Sequence, residues 1–417
     1  MNKLMAGSVG ALFATLALSS SALASDVEVL HWWTAGGEAA ALNVLKEDLK
    51  AKGIGWQDMP VAGGAGEAAS TTLKARVASG NPPAAAQLLG MAVREWAQEG
   101  SLGDISSVAE KENWEQLLPG SVKQFAKYDG KWVAAPVEIH RPNWLWINAK
   151  IFKDNGLTPP KTWEEFNKVA QTLKDKGITP LAHGGQAWQD TTIFDDVVLG
   201  LGGAEFYRKA IHELDPDALG SETMKKVFDE MRIIRGFVDD NFSGRDWNLA
   251  TAMLINGEAA MQLMGDWAKG EIVRAKVIPG EDILCVPAPD TEGSFLWIAD
   301  FFAGYDVNEE KKDAQLQLAS SIMTKDFQLA FSLVKGSIPA RNDIGDEEFD
   351  ACGKRSMKDI AEADKNNTLV GSLAHGTAQT AAVQRAIFDV VTEHFNSDMS
   401  SEDAVEELLS AVEAASL

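Results

Sequence analysis

Residues 146–166 read WINAKIFKDNGLTPPKTWEEF. The first residues, Trp146 and Ile147, are apolar and fit the end of a strand. Asn148 follows, and after it comes a short segment of apolar and basic residues with a helical pattern. A glycine and two prolines then interrupt the chain, because neither residue type continues a regular helix. Thr162 and Glu165 have the spacing of a capping box, so a second helix is predicted to begin there, with Phe166 opening its apolar stripe. The stretch therefore predicts the order strand, helix, turn, helix.

The same alternation extends outward along the chain in both directions. Val27 to His31 and Ala84 to Leu89 are short strand-like runs, and helical spacing of apolar residues follows the first of them. Asn143 to Ile147 places Trp144 and Trp146 on one face of a strand. Strands that alternate with helices are typical of parallel α/β units rather than of a β-sandwich. The fold class predicted from the residues is therefore α/β.

The amino terminus has the three parts of an export signal. Lys3 supplies a positive charge, Met5 to Leu18 is almost wholly apolar, and Ala22-Leu23-Ala24 is a small-x-small cleavage site. We expect residues 1–24 to be a signal peptide and Ser25 to begin the mature chain. A membrane anchor is the alternative, but no later segment reaches the roughly 18 to 20 apolar residues that a spanning helix needs. The predicted location is the periplasm.

Length and composition limit the possible partners. The chain has 417 residues, which is more than one compact core usually holds, so two lobes are expected. Its formal net charge of −23 argues against nucleic acid and against insertion into an anionic membrane. Two cysteines occur, Cys285 and Cys352. In an oxidising compartment they either form one disulfide or remain as two separate buried thiols.

Trp32 and Trp33 adjoin the first predicted strand, and Glu38 follows them closely. The C–H faces of a pyranose pack on an aromatic ring, while its hydroxyls require charged or amide partners. This combination therefore indicates a sugar site. The competing interpretation makes one indole part of the core and Glu38 a charge at a helix start. Gln87, the polar residue in an apolar strand, needs a hydrogen-bond partner, which the backbone could also supply.

Three segments together resemble one protein family. They are residues 146–166, the run Met253 to Trp267 (MLINGEAAMQLMGDW) and the run Gly336 to Arg341 (GSIPAR). In this order they are similar to the extracellular solute-binding proteins, family 1, of sugar ABC transporters. His31-Trp-Trp-Thr with Glu38 resembles the glucose- and mannose-binding branch. The family's usual Tyr-Asn pair is replaced here by Ile147-Asn148, which affects packing more than fold.

The resemblance implies a two-lobe periplasmic-binding-protein fold with a hinged cleft between the lobes. The expected lobes are residues 25–138 plus 291–339 and residues 139–290 plus 340–417. A monosaccharide would bind in the cleft, and inner-membrane permease subunits would recognise the closed form. No covalent chemistry and no cofactor are implied. The protein would be a monomer, and a chemoreceptor is a further candidate partner.

The resemblance also implies a set of ligand-binding residues. Hydroxyls would be held by charged and amide groups, and the sugar ring would lie between two indoles. The set is Trp32, Trp33, Glu38, Gln87, Trp267, Asp300, Lys335 and His375. Of the adjacent pair, either Trp32 or Trp33 would stack, because neighbouring residues on an extended segment point in opposite directions. Trp188 and Gln186 have no clear match and are left unassigned.

Several of these residues have ordinary structural interpretations. Trp267 could instead cap the core, and Lys335 could be a solvated lysine at a helix end. Asp300 is the charged residue inside the apolar run of residues 295–304. A carboxylate there requires either a salt bridge or a hydrogen bond to a ligand hydroxyl. An exported carbohydrate-active enzyme with Glu38 and Asp300 as its acid and base is the alternative function. A metal site is disfavoured, because the histidines lack the short spacings of common metal motifs.

Overall fold

The computed structural model describes residues 26–417, so the predicted signal peptide lies outside the described residues. The strands are β1 Val27–His31, β2 Trp56–Pro60, β3 Ala85–Leu89, β4 Lys127–Tyr128, β5 Lys131–Trp132, β6 Ala134–His140, β7 Trp144–Asn148, β8 Thr179–Leu181, β9 Ala259–Leu263, β10 Ile283–Pro287, β11 Phe295–Gly304, β12 Ile338–Pro339 and β13 Leu369–Gly371.

Helices account for about half of the chain. They are α1 Gly36–Ala51, α2 Glu67–Ala78, α3 Gly90–Gln98, α4 Ser106–Lys111, α5 Trp114–Leu117, α6 Gly120–Ala126, α7 Ala149–Asp154, α8 Trp163–Asp175, α9 Ala187–Tyr207, α10 Pro216–Leu219, α11 Glu222–Arg235, α12 Trp247–Asn256, α13 Ala268–Arg274, α14 Glu309–Ile322, α15 Lys325–Lys335, α16 Ala351–Lys365, α17 Ala381–Asn396 and α18 Ser401–Ala415. A 3-10 turn precedes α2 at Gly64–Gly66, and a π-helical turn follows α9 at Arg208–His212.

The first lobe is built on a seven-stranded sheet with the order β12-β6-β11-β3-β1-β2, in which β13 also pairs with β11. Strand β1 lies parallel to β2 and β3, whereas β11 is antiparallel to β3 and β6. The predicted parallel pattern therefore holds for only part of the sheet. The reason is topological, because β11 enters from the other lobe and runs against β3 and β6, whereas β13 lies parallel to it.

The second lobe is built on a four-stranded sheet with the order β10-β7-β9-β8. Strand β7 is antiparallel to both of its neighbours and β8 is parallel to β9, so this sheet is mixed as well. Leu145 and Ile147 join the large core formed with α8, α9, α11, α17 and α18, while Trp144 and Trp146 pack on the opposite face. That division confirms the alternation predicted for this strand. Two separate cores, one on each sheet, make the fold a two-lobe α/β structure.

The chain passes between the sheets at three places that lie side by side. Residues 141–143 lead from β6 to β7, and residues 288–294 lead from β10 back to β11. After β12 the chain still contacts the first lobe, since the amide of Arg341 donates to Gln328 and that of Asn342 donates to the Leu117 carbonyl. It then enters α16, where Cys352 forms a disulfide with Cys285 on β10, with a Cα–Cα distance of 6.0 Å.

Residues 146–166 fold as strand, helix, turn and helix, in the predicted order. Asn148 accepts a hydrogen bond from the Ile151 amide and so caps α7, and Gly156 adopts a positive φ of 65° after that helix ends. Thr162 caps α8 by accepting from the Glu165 amide at 3.2 Å. In a capping box the Glu165 side chain would accept a hydrogen bond from the Thr162 amide. Here the Glu165 carboxylate accepts instead from the amide of Lys161, one residue earlier. Nowhere from residue 26 onward is a helix both long and apolar enough to cross a membrane.

Candidate functional site

A small cavity of about 40 Å³ lies between the two lobes. Its wall includes seven of the eight predicted ligand-binding residues: Trp32, Trp33, Glu38, Trp267, Asp300, Lys335 and His375. We call this space the inner cavity. Both lobes contribute to it, since Glu38 belongs to the first turn of α1 and Trp267 follows β9. His140, Trp188 and Trp247 also line it and were not in the predicted set.

The two adjacent tryptophans have different environments. Trp33 is 2% exposed and packs against Phe302 and Phe331, with ring centroids 5.7 and 5.2 Å away. Trp32 is half-buried, and its indole lies against Gly66, where a Cβ atom would come within 2.8 Å of the ring. Trp33 is therefore mainly a core residue that also reaches the cavity wall, and Trp32 is the less buried of the two indoles.

Gln87 lies behind the inner cavity rather than on its wall. Its amide nitrogen donates to Asp300 Oδ1 at 2.6 Å, and its amide oxygen accepts from the Trp32 backbone at 3.1 Å. Both halves of this buried amide are thus satisfied within the protein. The structure gives Gln87 a positioning role, because it holds one carboxylate and one tryptophan that face the cavity.

Glu38 and Lys335 face each other inside the cavity. Lys335 Nζ lies 3.5 Å from a Glu38 oxygen, and both side chains are almost fully buried. Burial raises the pKa of Glu38, although the nearby Lys335 charge opposes that shift. The other Glu38 oxygen accepts from the Ala35 amide at 3.3 Å. This pair presents an acceptor and a donor to any polar ligand in the cavity.

His375 contributes an uncommitted ring nitrogen to the second-lobe side. Its Nδ1 atom is 3.0 Å from Ser372 Oγ, whereas its Nε2 atom is buried and has no hydrogen-bond partner within residues 26–417. Burial, together with the charge of His140, lowers the pKa of His375 to about 3. The ring is therefore neutral at physiological pH and can exchange a hydrogen bond with a ligand hydroxyl.

Residue pattern alone missed a buried chain of charged groups beneath the cavity. His140 Nδ1 is hydrogen-bonded to Asp266, and His140 Nε2 lies 3.1 Å from Glu138 and 3.7 Å from Asp300. Burial opposes the charged form of His140, but the Asp266 carboxylate raises its pKa to about 9. Burial and the negative charge of Asp300 raise the pKa of Glu138 to about 8. At neutral pH the network thus contains an imidazolium and a protonated carboxyl group.

The missed residues had left one signal in the sequence. Glu138 and His140 are two polar residues at alternate positions of an apolar strand, β6, whose seven residues are all buried. Alternate positions share one face of a strand, so both side chains had to point to the same buried surroundings. Asp266 had no comparable signal, because its contact with His140 joins residues 126 positions apart.

Against known proteins, the bacterial extracellular solute-binding protein family matches this chain over residues 33–316. The chain belongs to this family. A Rhizobium meliloti protein named "probable sugar-binding periplasmic protein" is 56% identical over 96% of both chains, and the Brucella suis protein of that name is 56% identical over 94% of this chain and 92% of its own. The glucose-binding protein GlcS of Saccharolobus solfataricus is 23% identical over 69% of this chain and 56% of its own.

Solved structures share the fold of this solute-binding protein at low sequence identity. The bacterial solute receptor AcbH, described as preferring β-D-galactopyranose, superposes with a TM-score of 0.79 at 19% identity and covers 94% of this chain and 99% of its own. A chitin oligosaccharide binding protein superposes with a TM-score of 0.78 at 21% identity over the same shares. Family membership makes the chain a binding protein and not an enzyme. The alternative use of Glu38 and Asp300 as an acid and base pair is thereby set aside.

Glu138, His140 and Asp300 are the group in the described part of this solute-binding protein whose ligand atoms lie close enough to hold a metal ion, all within 4.8 Å. A metal would have to displace a proton from His140, because metal ligands must be deprotonated and the nearby Asp266 carboxylate raises the pKa of His140. The positive charge of His140 already faces Asp266 and Asp300, and that of Lys335 faces Glu38. The arrangement fits a charge-balanced hydrogen-bond network, and we assign no metal to it.

The stability of this solute-binding protein should fall as pH rises from 6 to 9. Folded Glu138 keeps its proton up to about pH 8, whereas the unfolded carboxyl group loses it near 4.5. Its stabilising contribution is therefore lost progressively between about pH 4.5 and 8, and the upper part of this loss falls within the range above pH 6. His140 acts in the same direction between about 6.5 and 9. Thermal unfolding followed by circular dichroism should show a smaller alkaline decrease in Glu138→Gln. The exposed Glu164→Gln should retain the wild-type decrease, and identical slopes in all three proteins would contradict the assignment.

Proposed function

We propose that this protein is the periplasmic sugar-binding component of an ABC importer, with a monosaccharide, glucose or mannose, as its ligand. The observation that carries the proposal is the inner cavity, where indoles and buried charged groups from both lobes converge. That combination suits a pyranose, which has apolar faces and a polar rim. The names of the Rhizobium and Brucella relatives support the sugar class, and the name of GlcS supports glucose.

In the proposed complex, the ring would pack between Trp32 and Trp267. Glu38 and Asp300 would accept hydrogen bonds from hydroxyls, and Lys335 would donate to a hydroxyl oxygen. The free Nε2 atom of His375 would complete the polar set. Charge-assisted hydrogen bonds of this kind are about twice as strong as neutral ones, which lets a small hydrophilic ligand compete with water.

The size of the inner cavity supports a hinge motion. A space of about 40 Å³ holds only a few water molecules, each of which needs at least about 10 to 15 Å³. A hexose therefore requires the two lobes to move apart. We propose lobes of residues 25–138 plus 291–339 and residues 139–290 plus 340–417, which turn about the three adjacent crossings. The contacts of Arg341 and Asn342 with the first lobe move the third boundary from residue 339 to beyond residue 342. Strand β13, Leu369–Gly371, also belongs to the first-lobe sheet, although the rest of the segment after that boundary is assigned to the second lobe.

The remaining parts of the proposal concern location and partners. Residues 1–24 would direct export and be removed, and the mature monomer would act in the periplasm. Permease subunits in the inner membrane would recognise the closed, loaded form, since closure presents both lobes in one fixed orientation. A chemoreceptor that recognises the same form is a further proposed partner.

Isothermal titration calorimetry of the mature protein tests the proposal. Co-purified sugar should first be removed by unfolding and refolding, and the panel should include glucose, mannose, galactose and disaccharides. We expect one-to-one binding of glucose or mannose with the sugar recovered unchanged. Absence of binding across the panel would refute the sugar assignment, and a chemically altered sugar would refute the assignment of a pure binding function.

Trp267→Ala should weaken sugar binding at least tenfold, about 1.4 kcal/mol. The centroid of the indole ring lies 5.5 Å from that of the His140 ring and 4.9 Å from that of the His375 ring. Removing the indole therefore opens the second-lobe wall of the inner cavity. Calorimetry measures the loss, and circular dichroism checks that the fold is retained. Trp267→Phe keeps an aromatic face and should lose less affinity. Unchanged binding in the alanine variant would remove Trp267 from the site.

A further inference from the structure

A second and larger space adjoins the inner cavity. This outer groove has a volume of about 370 Å³ and lies between α2 and α3 of the first lobe and α17 of the second. Its volume falls within the range of about 300 to 1,000 Å³ that is usual for small-molecule sites. Lys74, Glu95 and Gln384 provide donors and acceptors along it. The outer groove could therefore hold a second sugar ring, for which the inner cavity has no room beside the first.

The side chain of Trp188 lies at the boundary between these two spaces. Trp188 lines both of them, as do Trp32 and His375. It is only 6% exposed, and its ring centroid lies 6.3 Å from that of Trp267 and 5.8 Å from that of His375. An indole in this position separates a ligand in the inner cavity from the outer groove.

Two contacts hold the Trp188 indole across the lobe boundary. On the first-lobe side it rests directly on Gly64, where a Cβ atom would come within 2.6 Å of the ring. On its own side, its Nε1 atom donates to Gln186 Oε1 at 2.9 Å, and Gln186 in turn donates to Asp246 at 2.9 Å. Gly64 thus provides the room for the indole, and Gln186 fixes its orientation.

We propose that Trp188, seated on Gly64, is a specificity-determining residue that restricts the site to a single sugar ring. The inference rests on the proposed function, because it concerns the same sugar site. With the indole in place, a second ring attached to the bound sugar meets Trp188. Without it, the inner cavity joins the outer groove and a two-ring saccharide fits across both.

Calorimetry of the full mature protein with glucose, maltose and cellobiose tests this inference. The wild type should bind glucose and show no measurable disaccharide binding, whereas Trp188→Ala should bind both disaccharides with an affinity at least tenfold above the detection limit. Gly64→Ala is an independent second variant. Its backbone does not require glycine, and the new methyl group must displace the indole, so the same gain is expected. Trp247→Ala is the matched control, because Trp247 is equally exposed at 6% and lines the inner cavity but not the groove.

The outcomes distinguish the two levels of the proposal. The folded variants Trp188→Ala and Gly64→Ala could bind glucose without any gain in disaccharide affinity. That result would overturn the role of Trp188 and leave the proposed function intact. That role would also be overturned if Trp247→Ala gained disaccharide affinity equally, or if the wild type already bound disaccharides as tightly as glucose. A wild type that binds no sugar at all would instead overturn the proposed function.

Discussion

Asp300→Asn should lower the affinity for the proposed sugar ligand by at least about 100-fold, or about 2.7 kcal/mol. Asp300 is 3% exposed, and one of its oxygens accepts from Gln87 at 2.6 Å. A hydrogen bond to a charged group contributes about 1.5 to 3 kcal/mol, and the substitution removes that charge from the ligand. The carboxamide also replaces one of the two acceptor oxygens with a donor, so if its oxygen keeps accepting from Gln87, an NH2 group takes the place of the other carboxylate oxygen. Calorimetry measures the affinity.

Asp48→Asn is the matched control for Asp300→Asn. Asp48 lies on the outer side of α1 and pairs with Lys52 at 2.7 Å, with both side chains about one-third exposed. Its substitution should leave sugar affinity unchanged within experimental error. A folded Asp300→Asn protein that retains affinity within threefold of the wild type would show that Asp300 makes no contact with the ligand.

Replacing both Cys285 and Cys352 with alanine should lower the free energy of unfolding by about 2 to 4 kcal/mol. The disulfide joins residues 67 positions apart, and it ties α16 to strand β10 of the second lobe. Without it the unfolded chain has more conformations, and the segment that follows the third crossing is held by packing alone. Guanidinium denaturation of the variant and of the wild type measures the difference.

Sugar binding provides the control for the disulfide prediction. Neither cysteine lines the inner cavity or the outer groove, so affinity should stay close to that of the wild type at temperatures where the variant is folded. Wild-type protein kept in reductant should approach the stability of the double variant. Equal stability of the variant and the oxidised wild type would show that the disulfide does not contribute to folding.

Much of the candidate site could be predicted because its residues leave strong local signals. An aspartate inside an apolar strand and a tryptophan after a strand end are unusual enough to be recognised individually. Gln87 was recognised in the same way, but its role depends on a partner 213 residues away, Asp300, which local pattern cannot supply. The deeper burial of Trp33 likewise depends on remote residues, Phe302 and Phe331, against which its indole packs.

Strand register determined the rest of the site. Asp300 pairs with Glu138, and the register between β11 and β6 shifts immediately afterwards, at Phe301. Directly opposed residues share one face of a sheet, so this register brings two carboxyl groups together beside His140. The pKa values of these groups follow from that proximity and from burial, and neither can be read from spacing along the chain.

The amino-acid sequence by itself determined the alternation of strands and helices, the family and most of the residues that face the cleft. These properties depend on the chemistry of short segments and on their order, which local periodicity and capping residues express. Only the tertiary structure decided which sheet partners run antiparallel, which of the two adjacent indoles is buried in the core and how Glu138, His140 and Asp266 meet. It also placed Trp188 on Gly64, because contacts across a lobe boundary depend on distances that folding creates between remote parts of the chain.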